Sequence, residues 1–293
     1  MTEYPPSTAL SPAAQGIPPH PELAGVVLAA GAGTRLQPLT SLRPKALCPV
    51  GGVPLADLAL GRLATVIGCG PDRLAVNAHH DADRIAAHLT GRATVSRERP
   101  EALGTAGALA ALRAWIDGRD VLVTNADLYL PGGLGRFADG WDGHRSRLLC
   151  LPVPGPGDFP QLLPGLRYVG ACLLPWRAVR GLEATPSGLY EVLWRAQAGR
   201  GGLELVTLAE AGAGEVAVDC GTARDYLLAN LHAGGGRSVV GAGARLLGTV
   251  DRCVVWEGAQ VGPQEHLVEV IRAGTAADPV TVDASGRQSA RSG

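Results

Sequence analysis

The segment GAGTR, Gly31–Arg35, follows the apolar run GVVLAA and precedes Lys45 in RPKAL. Lys45 is the one lysine among 26 lysine and arginine residues. Small residues at the end of a strand let backbone N–H groups come close to an anion. Arginine offers a planar fork for two phosphate oxygens, and lysine a compact charge that enters a crowded site. A surface lysine retained by chance is the alternative, and it weakens beside GAGTR and Pro44. The loop matches neither standard phosphate motif, because Leu36 stands where GxGxxG needs glycine and no GK[ST] follows. Two acids, Asp127 and Asp219, close the apolar runs VLVTNAD and EVAVD. An acid at that position either faces a ligand beyond the strand end or caps the next helix.

These groups have to be held by regular elements. GVVLAA, RLAVNA, ATVSRE, DVLVTNAD and RLLCLPV read as strands. LADLALGRLATVIG, DADRIAAHLT and TAGALAALRAWI read as helices, with apolar residues every three to four positions. This alternation predicts an α/β fold with a Rossmann-like, doubly wound, mostly parallel sheet. Ligands of such sheets bind at the carboxyl ends of strands. A less regular half from about 150 to 233 adds the strands YVGACLLP and EVAVD and the helices LYEVLWRAQAG and TARDYLLANLHA. Beyond Gly234-Gly235-Gly236, Val240 and Leu246 are six apart; Val255, Val261 and Leu267 step by six again. That period suggests a short left-handed β-helix-like segment over 237–273, with a plain hairpin as its rival.

Formal net charge is −1, which gives no footprint for nucleic acid or anionic lipid. Six scattered cysteines without a CxxC pair read as reduced core thiols of a cytoplasmic protein. No apolar run is long enough to span a membrane. Residues 1–24 read as a disordered leader and 274–293 as a loose tail, leaving 25–233 as the main domain.

LAAGAGTRL, then PLT, then PKALCPVGG resembles, in order, the signature of the sugar-1-phosphate nucleotidyltransferases. EALGTAGAL, VLVTNAD and VDCGTARDYLLANL extend the likeness over roughly 25 to 233. It implies transfer of a nucleotidyl group from a nucleoside triphosphate to a sugar 1-phosphate, with release of pyrophosphate. It further implies that Ala30, Gly31, Gly33 and Thr34 hold the triphosphate mainly through backbone N–H groups. Arg35 and Lys45 become the catalytic cations, Arg35 on the β,γ-phosphates and Lys45 at the α-phosphate. Asp127 and Asp219 become joint ligands of Mg2+. Glu101, Gly104 and Thr105 fall to base recognition, with Thr105 as a helix cap compatible with that role. Asn77 is a pocket candidate, Gly170 matches a glycine of the sugar pocket, and Glu191 is a hydroxyl partner there.

LGTAGAL and the six-step tail lean toward mannose-1-phosphate guanylyltransferase-like members, hence GTP and mannose 1-phosphate. The compact middle is similar to uridylyltransferases acting on N-acetylmuramic acid 1-phosphate, so uridylyl or thymidylyl transfer is the alternative. The Glu-Lys-Pro turn that binds sugar hydroxyls in many members is missing here. That absence admits a third reading, a non-catalytic regulatory subunit. Homo-oligomer formation is left open.

Overall fold

The computed structural model describes residues 23–159 and 162–288. Its centre is a seven-stranded sheet. In chain order the strands are β1 (Leu23–Leu28), β2 (Leu74–Ala78), β3 (Thr94–Arg97), β4 (Asp120–Asn125) and, after a two-residue strand β5 (Leu128–Tyr129), β6 (Ser146–Pro152), β7 (Leu166–Leu174) and β8 (Leu203–Thr207). Across the sheet they run β8-β6-β7-β4-β1-β2-β3. All neighbours are parallel except β7, which is antiparallel to both β4 and β6.

Side chains alternate along β1, so each face of the sheet carries its own core. Leu23 and Val27 pack with Leu60, Leu63 and Ile67 of helix α1 (Leu55–Ile67) and Ile85 of α2 (Ala82–His88). Ala24 and Val26 pack on the other face with Ala106 and Leu109 of α3 (Gly104–Ala111). A strand buried on both faces reads as a continuous apolar run, as LAGVVL does. The chain leaves β1 toward β2 and β3 on one side and returns to β4 on the other. The carboxyl ends of β1 and β4 are therefore the topological switch point where ligands of such sheets bind.

Helix α4 (Ala223–Ala233) follows the short strand β9 (Val218–Asp219) and is capped by Thr222, whose hydroxyl accepts from Asp225 N. Beyond it the chain forms ladders of very short parallel strands. Val240 pairs with Val255, Leu246 with Val261, and Val250 with Leu267. The residues of the two six-step runs thus lie on stacked rungs, two of the pairs directly opposite one another. The last strand of the first ladder, Val270–Gly274, continues into an antiparallel partner, Pro279–Asp283. This corrects the expectation of a loose tail from 274. PVTVD alternates, and its Val280 and Val282 are buried, a pattern that the small polar residues around it obscured. Residues 1–22 of the expected leader and 289–293 of the tail lie outside the described residues.

These ladders do not stand apart from the sheet. Trp256, Ile271 and Val282 share one core with Tyr226 and Leu227 of α4 and with Leu36, Leu39, Val50 and Leu55 near the glycine loop. Trp256 Nε1 donates to the Tyr226 hydroxyl at 3.0 Å, and that hydroxyl donates to Pro49 O. The Arg43 guanidinium lies 4.4 Å from the Trp256 ring centroid and pairs with Glu257. All six cysteines are free, and five of them are buried. Among the described residues no helix is long and apolar enough to cross a membrane.

Candidate functional site

Register brings the site together. Leu28 at the end of β1 lies beside Asn77 on one side and Asn125 on the other. The chain then leaves β1 into Ala30–Thr34. None of the backbone N–H groups of Gly31, Ala32, Gly33 and Thr34 has a partner among the described residues. Gly33 sits at φ +65, and a Cβ there would come within 2.8 Å of Thr40 Cγ2 and 3.0 Å of Lys45 Cβ. Glycine is therefore required both by backbone angle and by the lysine stem packed against it. Gly33→Ala is expected to destabilise the protein by about 1–3 kcal/mol, read by urea denaturation. It should also displace Lys45.

Lys45 is only 8% exposed. Its Nζ contacts Asp127 Oδ2 and lies 3.6 Å from Asp219 Oδ1. Asp127 follows β4 by two residues, and Ala126 N is bonded to Leu28 O at 2.9 Å. Asp219 arrives from 92 positions later because β9 pairs antiparallel with β5, setting Asp219 opposite Leu128. Cys220 N closes the junction by donating to Asp127 O at 2.9 Å. Arg35 completes the group, with its Nη2 3.6 Å from Asp219 Oδ2 and both side chains largely exposed. Gly221 leaves room for this arginine, since a Cβ there would be 2.6 Å from Arg35 Nη2. One glycine loop, two cations and two carboxylates thus converge beyond the carboxyl ends of β1 and β4.

Among the described residues no group of three or more His, Cys, Asp and Glu side chains could hold a metal ion. Two carboxylates sharing one ammonium do fit Mg2+, which keeps several waters and completes its shell with substrate phosphates.

Gly104 (φ +69) and Gly107 let the backbone of 185–187 approach, since a Cβ would meet Ser187 O at 2.5 Å and Thr185 O at 2.3 Å. Ala106 N donates to Ser187 O, and Ser187 N to Leu103 O. The Thr105 hydroxyl accepts from Leu189 N at 2.8 Å, so it ties two segments together and does not cap the helix. Glu101 is exposed. Gly170 abuts Asn125, whose Nδ2 would be 2.9 Å from a Cβ added there. Glu191 folds back over Gly188.

Asn77 is corrected. It is 2% exposed, its Oδ1 accepts from Ala29 N at 2.7 Å, and its Nδ2 donates to Glu98 Oε1 at 2.8 Å. It sits between β1 and β3 in the sheet, where its amide serves the protein itself and not a pocket.

Two residues escaped the sequence reading. Asn125 presents a side-chain amide with no partner among the described residues, two positions before Asp127. Arg62 is buried under the end of β4 and donates to Thr124 Oγ1 and Asn125 O. Burial lowers its guanidinium to about 10, against the pull of Cys220 and Asp127, so it stays cationic at neutral pH. The signal was available: an arginine on the Ala59–Leu63–Val66 stripe of α1 stands where an apolar residue belongs.

Part of the chain resembles known proteins. Residues 24–154 match the family model described as "Nucleotidyl transferase". The N-acetylmuramate alpha-1-phosphate uridylyltransferase of Caulobacter vibrioides is 36% identical over 138 residues, 43% of this chain and 55% of the relative. The bifunctional protein GlmU of Syntrophotalea carbinolica is 38% identical over 94 residues, 32% of this chain and 19% of that one. The chain thus spans about half, or less, of the length of these relatives. A solved structure described as a mannose-1-phosphate geranyltransferase of Thermus thermophilus superposes with TM-score 0.64 at 17% identity. It covers 90% of this chain and 95% of its own, a likeness of fold. The glycine loop, Lys45 and Asp127 all lie inside residues 24–154, the segment that matches the nucleotidyl transferase family model.

Proposed function

We propose that the protein transfers a nucleotidyl group from a nucleoside triphosphate to a sugar 1-phosphate, giving an NDP-sugar and pyrophosphate. The observation that carries this reading is the meeting of Lys45, Asp127 and Asp219 beside the open N–H groups of the glycine loop. An oxygen of the sugar phosphate attacks the α-phosphorus, and the bond to the α,β-bridging oxygen breaks, its electron pair leaving with pyrophosphate. The reaction crowds negative charge, so its main demands are positioning and fixed positive charge.

Ala30, Gly31, Gly33 and Thr34 cradle the triphosphate by backbone donors, and Arg35, reaching out into solvent, grips the β,γ-phosphates. Lys45, whose stem is locked against Gly33, is directed to the α-phosphorus. Asp127 and Asp219 would hold Mg2+, which when bound supplies charge neutralisation at the phosphates. Glu101, Gly104 and Thr105 face the base, and Gly170, with Asn125 over it, faces the sugar.

In this reading 25–233 is the transferase domain and the ladders over 237–273 are a short left-handed β-helix. The protein is cytoplasmic, engages neither nucleic acid nor membrane, and is open to homo-oligomer formation. The substrate pair suggested by the sequence is GTP with mannose 1-phosphate. Uridylyl transfer to an N-acetylated sugar phosphate is favoured by the relative matched at 36% identity, which carries that name. Pyrophosphate release should be measured for GTP, UTP, dTTP, ATP and CTP against hexose 1-phosphates and N-acetylmuramate 1-phosphate. Magnesium-dependent release is expected for one pair above the rest. Ligand binding with no release from any pair would favour the regulatory-subunit reading instead.

A further inference from the structure

Glu98 is a carboxylate with 2% of its surface exposed, and no basic side chain pairs with it among the described residues. It lies just past β3, and both of its oxygens are used. Oε1 accepts from Asn77 Nδ2 at 2.8 Å, and Oε2 accepts from Leu103 N at 2.8 Å. Asn77 Oδ1 in turn accepts from Ala29 N at 2.7 Å, one residue before the glycine loop opens. The backbone N–H of Ala29 can only donate, so Oδ1 must face it and Nδ2 must face Glu98. The result is a relay from the loop entry through Asn77 into Glu98, where the carboxylate also accepts from Leu103 at the N-terminus of α3, so that donors converge on it from both sides. That helix has no side-chain cap of its own, and the carboxylate is placed where the helix dipole favours an anion.

A buried carboxylate is costly unless its hydrogen bonds are complete, and an apolar pair would fill the space more cheaply. We infer that Glu98, acting through Asn77 and Leu103, is a positioning residue that fixes the segment ending in Gly104 and Thr105 against the triphosphate loop, and so sets the choice of nucleobase. This rests on the transfer reading above, which assigns the two segments to base and triphosphate. A nucleotide then meets two rigidly spaced surfaces, and a base of the wrong size or donor pattern cannot be accommodated by sliding one against the other.

The polarity of the relay supplies its own test. Glu98→Gln puts a second amide opposite Asn77, and whichever way the amides turn, two donors face each other. Asn77→Asp puts two carboxylates in contact. The double variant Asn77→Asp, Glu98→Gln restores every bond: Ala29 N to an aspartate oxygen, the new Gln amide to the other, and Leu103 N to the Gln carbonyl. Binding of the α,β-methylene analogues of GTP, UTP, CTP and ATP should be titrated calorimetrically with Mg2+, alongside thermal melting.

Each single variant is expected to weaken binding of the preferred analogue about tenfold or more, the scale of one mispaired buried group, and to narrow its margin over the others. The double variant should recover both affinity and margin to within about threefold of wild type. Single variants that keep the wild-type margin would overturn the inference. So would a double variant that recovers the melting temperature without the margin, or that recovers neither. Should the singles fail to fold, the double variant must still fold and discriminate as wild type does, or the inference is lost. A wild type that discriminates among analogues yet turns over no sugar phosphate would sink the transfer reading and leave the relay standing.

Discussion

Lys45→Arg is expected to lower kcat/KM by about 10²–10³ while the protein stays folded, the scale of losing one well-placed donor at a developing charge. The substitution keeps the charge, so a purely electrostatic account would predict little change. The packing says otherwise. The lysine stem runs against Gly33, with Thr40 close on the same side, and the side chain is only 8% exposed. A guanidinium is planar and wider than an ammonium, and it must spread its donors in one plane. It can keep its bond to Asp127 only by swinging out of the slot, which moves its charge away from the glycine loop. Lys45→Ala should lose at least as much. Pyrophosphate release under saturating Mg2+, with circular dichroism as the control for folding, measures both. An arginine variant with wild-type kcat/KM would show that the slot is not what selects lysine.

Asp127→Asn should cost about 10³ in kcat, because several kcal/mol of charge stabilisation at phosphate oxygens depend on the cation it would share with Asp219. The amide is nearly isosteric, so the bonds of Ala126 and Cys220 to neighbouring backbone remain. A second readout needs no turnover. Mg2+ together with a nucleoside triphosphate should raise the melting temperature of the wild type by mass action, and the variant should lose most of that rise. Loss of turnover with the full thermal response retained would mean that Asp127 does not hold the cation.

Much of this was legible in the chain. The runs GVVLAA, RLAVNA, ATVSRE and DVLVTNAD announce strands by composition alone, and each is a strand of the central sheet. Asp127 and Lys45 stood out because a carboxylate after an apolar strand and a solitary lysine are visible without coordinates. What stayed hidden depends on where a side chain points once strands are paired. Asn77 reads as a polar residue at a strand end, yet its amide turns inward because Ala29 N needs an acceptor there. Glu98 sits among Arg97, Arg99 and Pro100, which reads as a solvated loop, and nothing local says that it is enclosed. The meeting of Asp127 with Asp219 follows from the antiparallel pairing of β5 and β9, two strands of two residues each, too short to leave a pattern.

The core around Trp256 joins residues near the beginning of the fold, Leu36 to Leu55, with residues near its end, Val254 to Val282. Such contacts carry a high loop-closure cost and form late. During synthesis the first strands leave the ribosome long before the partners of Leu36 and Leu39 exist. The turn bearing Arg35 and the segment bearing Lys45 therefore remain unclamped until the final rungs have been translated, so a nascent chain acquires its sheet first and the packing behind these two cations last.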